Sequence, residues 1–305
     1  MTTIETGGAS GQFLYYGMKL RPVPAIRANT SPAENHLSDE VAHEDDTVKI
    51  VTTHTPMGVV GAIAPWNFPL ILSTLKMASA LITGNCVIVK PSPFTPYATL
   101  KAVELCRDLV PPGVLQALNG AGDLGAAMTA HPGIAKISFT GSIATGRRVM
   151  ASCARTMKRV TLELGGNDAA IVCGDVDVDK VAGKVADGAF FNGGQVCVAT
   201  KRVYVHESIY DAFLEAYVKA VEERFQAGGE AAAMTVFGPL SNRAQFEIVK
   251  EYVEDCKRNN HKIVSGGGVA ERGFCLEPTV VAKPPDDSRL VREEQFGKPM
   301  KPPGM

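Results

Sequence analysis

From residue 47 onward the hydrophobic positions follow two alternating rhythms. Thr47 to Thr53 alternates polar and β-branched residues, the period of an exposed strand. Cys86-Val-Ile-Val-Lys90 is a short unbroken apolar run, as expected of a parallel strand covered on both faces. Thr95 to Val110 takes helical spacing and is stopped by Pro111-Pro112-Gly113. Further strands are predicted at Ile134–Phe139, Val160–Leu164, Ala169–Cys173 and Arg202–His206. Helices are predicted to run on to about Met157, over Val178–Asn192, and over Ser208–Phe225. Strands alternating with helices predict an α/β fold with parallel, doubly wound sheets. Gly165-Gly166 interrupts the pattern and marks a change of domain. The first 45 residues carry no comparable rhythm: they hold Gly7-Gly8, Pro22, Pro24 and Pro32, and an acidic cluster follows at Glu44-Asp45-Asp46.

Composition narrows the classes of function. A chain of 305 residues is long enough for two domains. A net charge of -1 lacks the basic surplus that nucleic acid or an anionic membrane surface would call for. The seven cysteines form no Cys-x-x-Cys, and neighbours in sequence are at least 19 positions apart. Zinc-ribbon and disulfide-framework readings are therefore poor, no metal site is expected, and a reducing compartment fits. With no basic-then-apolar leader and no apolar run long enough to span a bilayer, the cytoplasm is the expected location.

Five segments carry candidate chemistry, each beside a purely structural alternative. Cys197 closes Phe190-Phe-Asn-Gly-Gly-Gln-Val-Cys197, a glycine-loosened turn at a helix end; an exposed polar setting is what a reactive thiolate needs. The alternative is a buried thiol, which Cys86, Cys106 and Cys173, inside apolar segments, are expected to be. Glu163 ends a strand just before Gly165-Gly166, where a carboxylate can act as base or activate water; otherwise it pairs with the basic residues at 155–159. Asn67 lies between Pro65 and Pro69, next to the single tryptophan, Trp66. The prolines restrict the backbone, so the segment presents a preorganised amide donor or a cap for the helix that follows. Lys90-Pro-Ser92 ends a buried strand, and Gly141-Ser-Ile-Ala-Thr-Gly146 joins a strand to a helix. Both are positions where open α/β sheets hold phosphates and ribose hydroxyls. A solvated lysine and an ordinary capped turn are the plain readings there.

Taken in order, Pro65-Trp-Asn-Phe-Pro69, Lys90-Pro-Ser92, Phe139-Thr-Gly-Ser142, Glu163-Leu-Gly-Gly166, Gly194-Gln-Val-Cys197 and Glu293-Glu-Gln-Phe-Gly297 resemble the NAD(P)-dependent aldehyde dehydrogenase superfamily. The resemblance implies a Rossmann-type cofactor domain over 1–163, a catalytic domain over 164–297, and an oligomerisation arm with its strand at about 40–57. It implies oxidation of an aldehyde to a carboxylic acid with NAD, or NADP, through a thiohemiacetal and a thioester on Cys197. Asn67 and the Cys197 backbone N–H would hold the oxyanion, and Glu163 would activate the hydrolytic water. Cofactor contacts would come from Ile63, Trp66, Lys90, Ser92, Gly141, Ser142, Gly146, Leu164, Glu294 and Phe296. A homo-oligomer is expected of a full-length member.

Two departures qualify the resemblance. Pro93 stands where many NAD-using members place a glutamate, so NAD and NADP are not discriminated there. After Gly297 the chain reads Lys298-Pro-Met-Lys-Pro-Pro-Gly-Met305, an atypical tail, where the family continues into a strand. An upstream portion is also missing or unrecognisable, so the chain looks truncated at both ends. Weak or no turnover is the expectation for the polypeptide as written, and a doubtful oligomer. The competing readings are an inactive remnant binding only nucleotide or a partner, and a cysteine hydrolase using Cys, Glu and Lys.

Overall fold

The computed structural model describes Arg27 and residues 37–225, 238–269, 273–297 and 299–300. The patternless residues 1–26 and most of the 298–305 tail lie outside that set. The chain divides into two compact units between Leu164 and Gly165.

The first unit begins with an antiparallel hairpin, β1 (Glu40–Glu44) and β2 (Lys49–Thr52), exposed along its whole length. The turn is held by Asp45, whose carboxylate accepts from Thr47 N, Thr47 Oγ1 and Val48 N at 2.7–2.8 Å. There follow β3 (Val59–Ile63), α1 (Pro69–Ile82), β4 (Cys86–Lys90), α2 (Tyr97–Cys106) and β5 (Leu115–Ala117). After these come α3 (Gly122–Ala130), β6 (Lys136–Thr140), α4 (Ile143–Ala154) and β7 (Arg159–Glu163). The strands form one parallel sheet in the order β5-β4-β3-β6-β7.

Alternate residues of the strands feed two separate cores, as a sheet covered on both faces requires. Val60, Ala62, Val87 and Val89 pack with Met77, Ala80 and Val103 of α1 and α2. Ile63, Ile137 and Phe139 pack with Met128, Val149 and Cys153 of α3 and α4. Gly61 keeps the second layer close, since a Cβ there would stand 2.7 Å from Ile137 Cδ1. The expected strands over 134–139 and 160–164 are present, each shifted by one or two residues at its ends, where pattern is least informative.

The second unit opens with β8 (Ala169–Val172), α5 (Val178–Phe190), β9 (Arg202–Val205) and α6 (Tyr210–Arg224). β8 and β9 pair in parallel, and Val172, Val203 and Val205 pack under Phe190, Phe213 and Tyr217. Asp177 caps α5 by accepting from Lys180 N at 3.1 Å. The unit continues with α7 (Arg243–Arg258), β10 (Lys262–Ser265), β11 (Thr279–Ala282), the single turn α8 (Arg289–Arg292) and β12 (Pro299–Met300). Its second sheet has the order β10-β11-β12. The expectation of buried thiols is corrected: Cys86 and Cys106 are half-buried, and Cys173 is exposed just beyond β8, where Ile171 is also 70% exposed. Among the described residues β8 pairs on one side only, so an apolar run there does not imply burial.

Candidate active site

In the first unit the chain leaves β3 toward β4 and β5, then returns to lay β6 on the other side of β3. Ligands of open parallel sheets bind outside the carboxyl ends of the strands at such a reversal. The register brings those ends level: Ile63 pairs with both Lys90 and Phe139, and Thr140 with Glu163. Ile63, Lys90, Glu163 and the segments after them therefore share one edge.

Lys90 is not a solvated strand-end lysine. It is 5% exposed, and Nζ donates to Pro91 O at 3.2 Å. Burial lowers its pKa, an effect that the Asp123 carboxylate partly offsets. Ser92 is buried beside it and accepts from Phe94 N at 3.3 Å. On the other side of the reversal, Ser142 caps α4, with Oγ accepting from Thr145 N at 3.3 Å. The two glycines of this turn are set by packing. A Cβ at Gly141 would stand 2.5 Å from the Phe139 ring, and one at Gly146 2.6 Å from Leu164 Cδ2. Leu164 thus lies over the first turn of α4, and the cap and the anion-binding position coincide. Ser142→Ala is expected to destabilise the protein by about 1 kcal/mol in a urea melt. An unchanged midpoint would show that the cap contributes nothing.

Trp66 and Asn67 follow β3. Asn67 is 4% exposed, while the N-cap of α1 is Phe68, whose side chain makes no capping bond. Glu163 is exposed at the end of β7. None of the salt bridges among the described residues joins it to the basic stretch 155–159; Lys158 instead donates to His131 O and Ile134 O at 2.6 and 2.8 Å. The carboxylate's charge acts on Lys76, a residue that sequence reasoning missed. Lys76 is the one charged side chain of α1, and Nζ donates to Ser138 Oγ on β6 at 3.1 Å. Burial pulls its pKa down to about 8, with Glu163 opposing that shift and Lys136 adding to it. A single lysine within Pro-Leu-Ile-Leu-Ser-Thr-Leu-Lys-Met-Ala was the signal available.

In the second unit, α5 stops at Phe190 because the next residues turn left-handed. Asn192, Gly193 and Gly194 have φ of 52°, 64° and 74°. Glycine is needed at 194 on a second count, since a Cβ would meet Gly297 O at 2.5 Å. Gln195, 2% exposed, fastens the turn: Nε2 donates to Asn192 O at 2.9 Å and Oε1 accepts from Ser241 N at 2.9 Å. Cys197 follows, half-buried, in a short turn closed by Ala199 N to Val196 O at 3.1 Å. Cys153 and Cys256, by contrast, are fully buried, and burial pushes the Cys256 thiol up to about 11.

Glu294 and Phe296 belong to this same unit. Tyr252 Oη donates to Glu293 Oε2 at 2.8 Å, and Gln245 Nε2 donates to Gln295 O and Phe296 O at 3.2 and 3.0 Å. The Glu294 carboxylate packs over Gly165, where a Cβ would run into it, and lies 3.4 Å from Lys201 Nζ. Burial holds its pKa above the ordinary value; the Gly166 N–H and Lys201 offset this in part. One unit therefore gathers Asn67, Lys76, Lys90, Ser142 and Glu163, and the other gathers Cys197, Glu294 and Phe296. No cluster of metal-ligating side chains occurs among the described residues.

The sequence profile of the aldehyde dehydrogenase family matches residues 17–300. The aldehyde dehydrogenase LUC3 of a Fusarium species is 45% identical over 257 residues, covering 83% of this chain and 53% of that protein. Retinaldehyde dehydrogenase 3 of Rattus norvegicus is 42% identical over 262 residues, covering 85% and 51%. The crystal structure of Mycobacterium tuberculosis aldehyde dehydrogenase complexed with NAD+ superposes with a TM-score of 0.91 at 30% identity, over 99% of this chain and 62% of that one. The chain spans about half the length of the curated relatives it matches.

Proposed function

Because the chain belongs to the aldehyde dehydrogenase family, we propose that it carries the residues that oxidise an aldehyde to a carboxylic acid with NAD+ or NADP+. The observation that carries this reading is the Cys197 turn. A half-buried thiol sits on a left-handed turn held by Gln195 and by Gly194, where a Cβ would meet Gly297 O at 2.5 Å.

Cys197 reacts as the thiolate, its proton having passed to solvent. Sγ attacks the aldehyde carbon, a C–S bond forms, and the C=O π pair moves onto oxygen as an oxyanion. The Asn67 amide and the Cys197 N–H are the donors proposed for it. When bound, the nicotinamide ring supplies the hydride acceptor that makes the adduct a thioester. Glu163 takes the proton of the water that hydrolyses the thioester, releasing acid and the Cys197 thiol. Lys76, bonded to Ser138 and with its pKa lowered to about 8 by burial, supplies a cation whose charge acts on that carboxylate.

The residues fit a dinucleotide. Among the described residues the buried Lys90 ammonium makes one hydrogen bond, to Pro91 O, which leaves donor hydrogens for a ribose or phosphate. The N-terminus of α4 offers backbone N–H groups at the sheet edge for a pyrophosphate. Pro93 is exposed next to this position and brings no carboxylate to repel a phosphate, so both nicotinamide cofactors are admitted. Ile63, Trp66, Ser92, Leu164, Glu294 and Phe296 complete the proposed contacts. The fully exposed β1–β2 hairpin, with Val41, Val48, Ile50 and Val51 all 40–52% exposed, supports a homo-oligomer built through this arm. No helix among the described residues is long and apolar enough to cross a membrane, and a cytoplasmic location accords with the unpaired cysteines.

The test is formation of NADH or NADPH by the purified chain with a panel of aliphatic and aromatic aldehydes. Slow formation of reduced cofactor in step with carboxylic acid is the expected result, in keeping with the weak turnover expected from the sequence. Folded protein that yields neither, yet binds cofactor, would replace this reading with that of a binding remnant.

A further inference from the structure

Four residues past Cys197, Lys201 has a side chain only 4% exposed. Five oxygens surround its Nζ: Val196 O at 3.0 Å, Ala199 O at 3.2 Å, Asp168 Oδ2 at 3.3 Å, and Cys197 O and Glu294 Oε1 each at 3.4 Å. The first three and the Cys197 carbonyl share the three hydrogens of the ammonium, while Glu294 Oε1 is held as an ion pair. A buried cation persists only when it is compensated in this way, and removing it leaves the half-buried Glu294 carboxylate without its cation.

The cation joins three stretches that are distant in sequence. The 165–168 turn contributes Asp168, whose own carbonyl accepts from Lys201 N at 2.9 Å and Arg202 N at 3.0 Å. The nucleophile's turn contributes three carbonyls, one of them that of Cys197 itself. The 293–297 segment contributes Glu294, seated against Gly165. The adjoining β9 residues Val203 and Val205 fill the core, a task Lys201 does not share.

We infer that Lys201 is a positioning residue that ties the backbone of the Cys197 turn to the carboxylate of Glu294, so that the presentation of the thiol depends on what Glu294 contacts. That Glu294 meets the cofactor rests on the function proposed above; the tie itself does not. The inference makes two demands. The turn must loosen when the cation is removed, and any effect of cofactor on the thiol must pass through the Lys201–Glu294 contact.

Both are measured on the whole chain, in wild type, Lys201→Met, Glu294→Gln and the double variant. Hydrogen exchange is followed across residues 196–200, and iodoacetamide alkylation of Cys197 is followed by peptide mass spectrometry, with and without NAD+. In Lys201→Met the turn is expected to exchange about tenfold faster, while β9 and α5 keep their protection and the alkylation rate shifts severalfold. NAD+ is expected to change the alkylation rate of wild type. It should leave both single variants nearly unaffected, with no further loss in the double variant; a lysine serving stability alone would not remove that response. If wild-type alkylation ignores NAD+, the cofactor role of Glu294 fails, and the exchange data still decide the tie. A natively folded Lys201→Met with wild-type exchange and alkylation overturns the inference. Should that variant not fold, wild-type alkylation in Glu294→Gln overturns it equally.

Discussion

Replacing Cys197 by alanine is expected to lower aldehyde oxidation by at least about 10³-fold, the scale seen when a covalent nucleophile is deleted, without disturbing the fold. The thiol is half-buried, and the turn that presents it is held by Gln195, Lys201 and backbone bonds that do not involve Sγ. Little packing is therefore lost. Cys256 is the matched control. Its sulfur is fully buried beside Val281 and Leu290, and its thiol is pushed up to about 11 by that burial. Alanine at 256 leaves a small cavity, so it should lower the urea midpoint and spare turnover. Initial rates of reduced-cofactor formation, paired with urea melts, separate the two. A Cys197→Ala rate within tenfold of wild type would remove the covalent route.

The contrast between these thiols was only partly legible in the sequence. The glycines before Cys197 announced an irregular turn, and the structure shows why: three successive residues are left-handed, which ends the helix two residues before the expected Asn192. Cys173 sat in an equally apolar run, and nothing local indicated that β8 pairs on one side only among the described residues. Strand runs such as Cys86–Lys90 and the Ser142 cap were readable because they rest on adjacent residues. The short β5, the helix α3 and everything from α7 to β11 were not read, their patterns being brief or strongly polar. Lys90, Lys76 and Lys201 share a different reason. A lysine is soluble by default, and burial is imposed by partners elsewhere: Ser138 lies 62 residues from Lys76, and Asp168 33 residues from Lys201. Residue type and spacing located the candidate chemistry; long-range packing decided which charges are kept out of water.

That burial has a measurable consequence at Lys76, where methionine is expected to make the protein more stable and less active. The native ammonium titrates near 8, against an ordinary 10.5, because burial disfavours its charge. Below about pH 8 the lysine is charged in both native and unfolded chains, so the cost of burying it is fully present. Between about 8 and 10.5 the native lysine gives up its proton while the unfolded one keeps it, and stability rises with pH across that window. Methionine keeps the stem and removes the cost, for a gain of up to roughly 3 kcal/mol at pH 7 that shrinks toward pH 10. Turnover should fall severalfold, because Glu163 loses the one cation of α1 whose charge acts on it. Urea melts of wild type and Lys76→Met at pH 7 and pH 10, beside rate–pH profiles, test both halves. A variant less stable than wild type at pH 7 would mean that the bond to Ser138 outweighs the burial of the charge. Unchanged turnover would show that the charge of Lys76 does not bear on the work of Glu163.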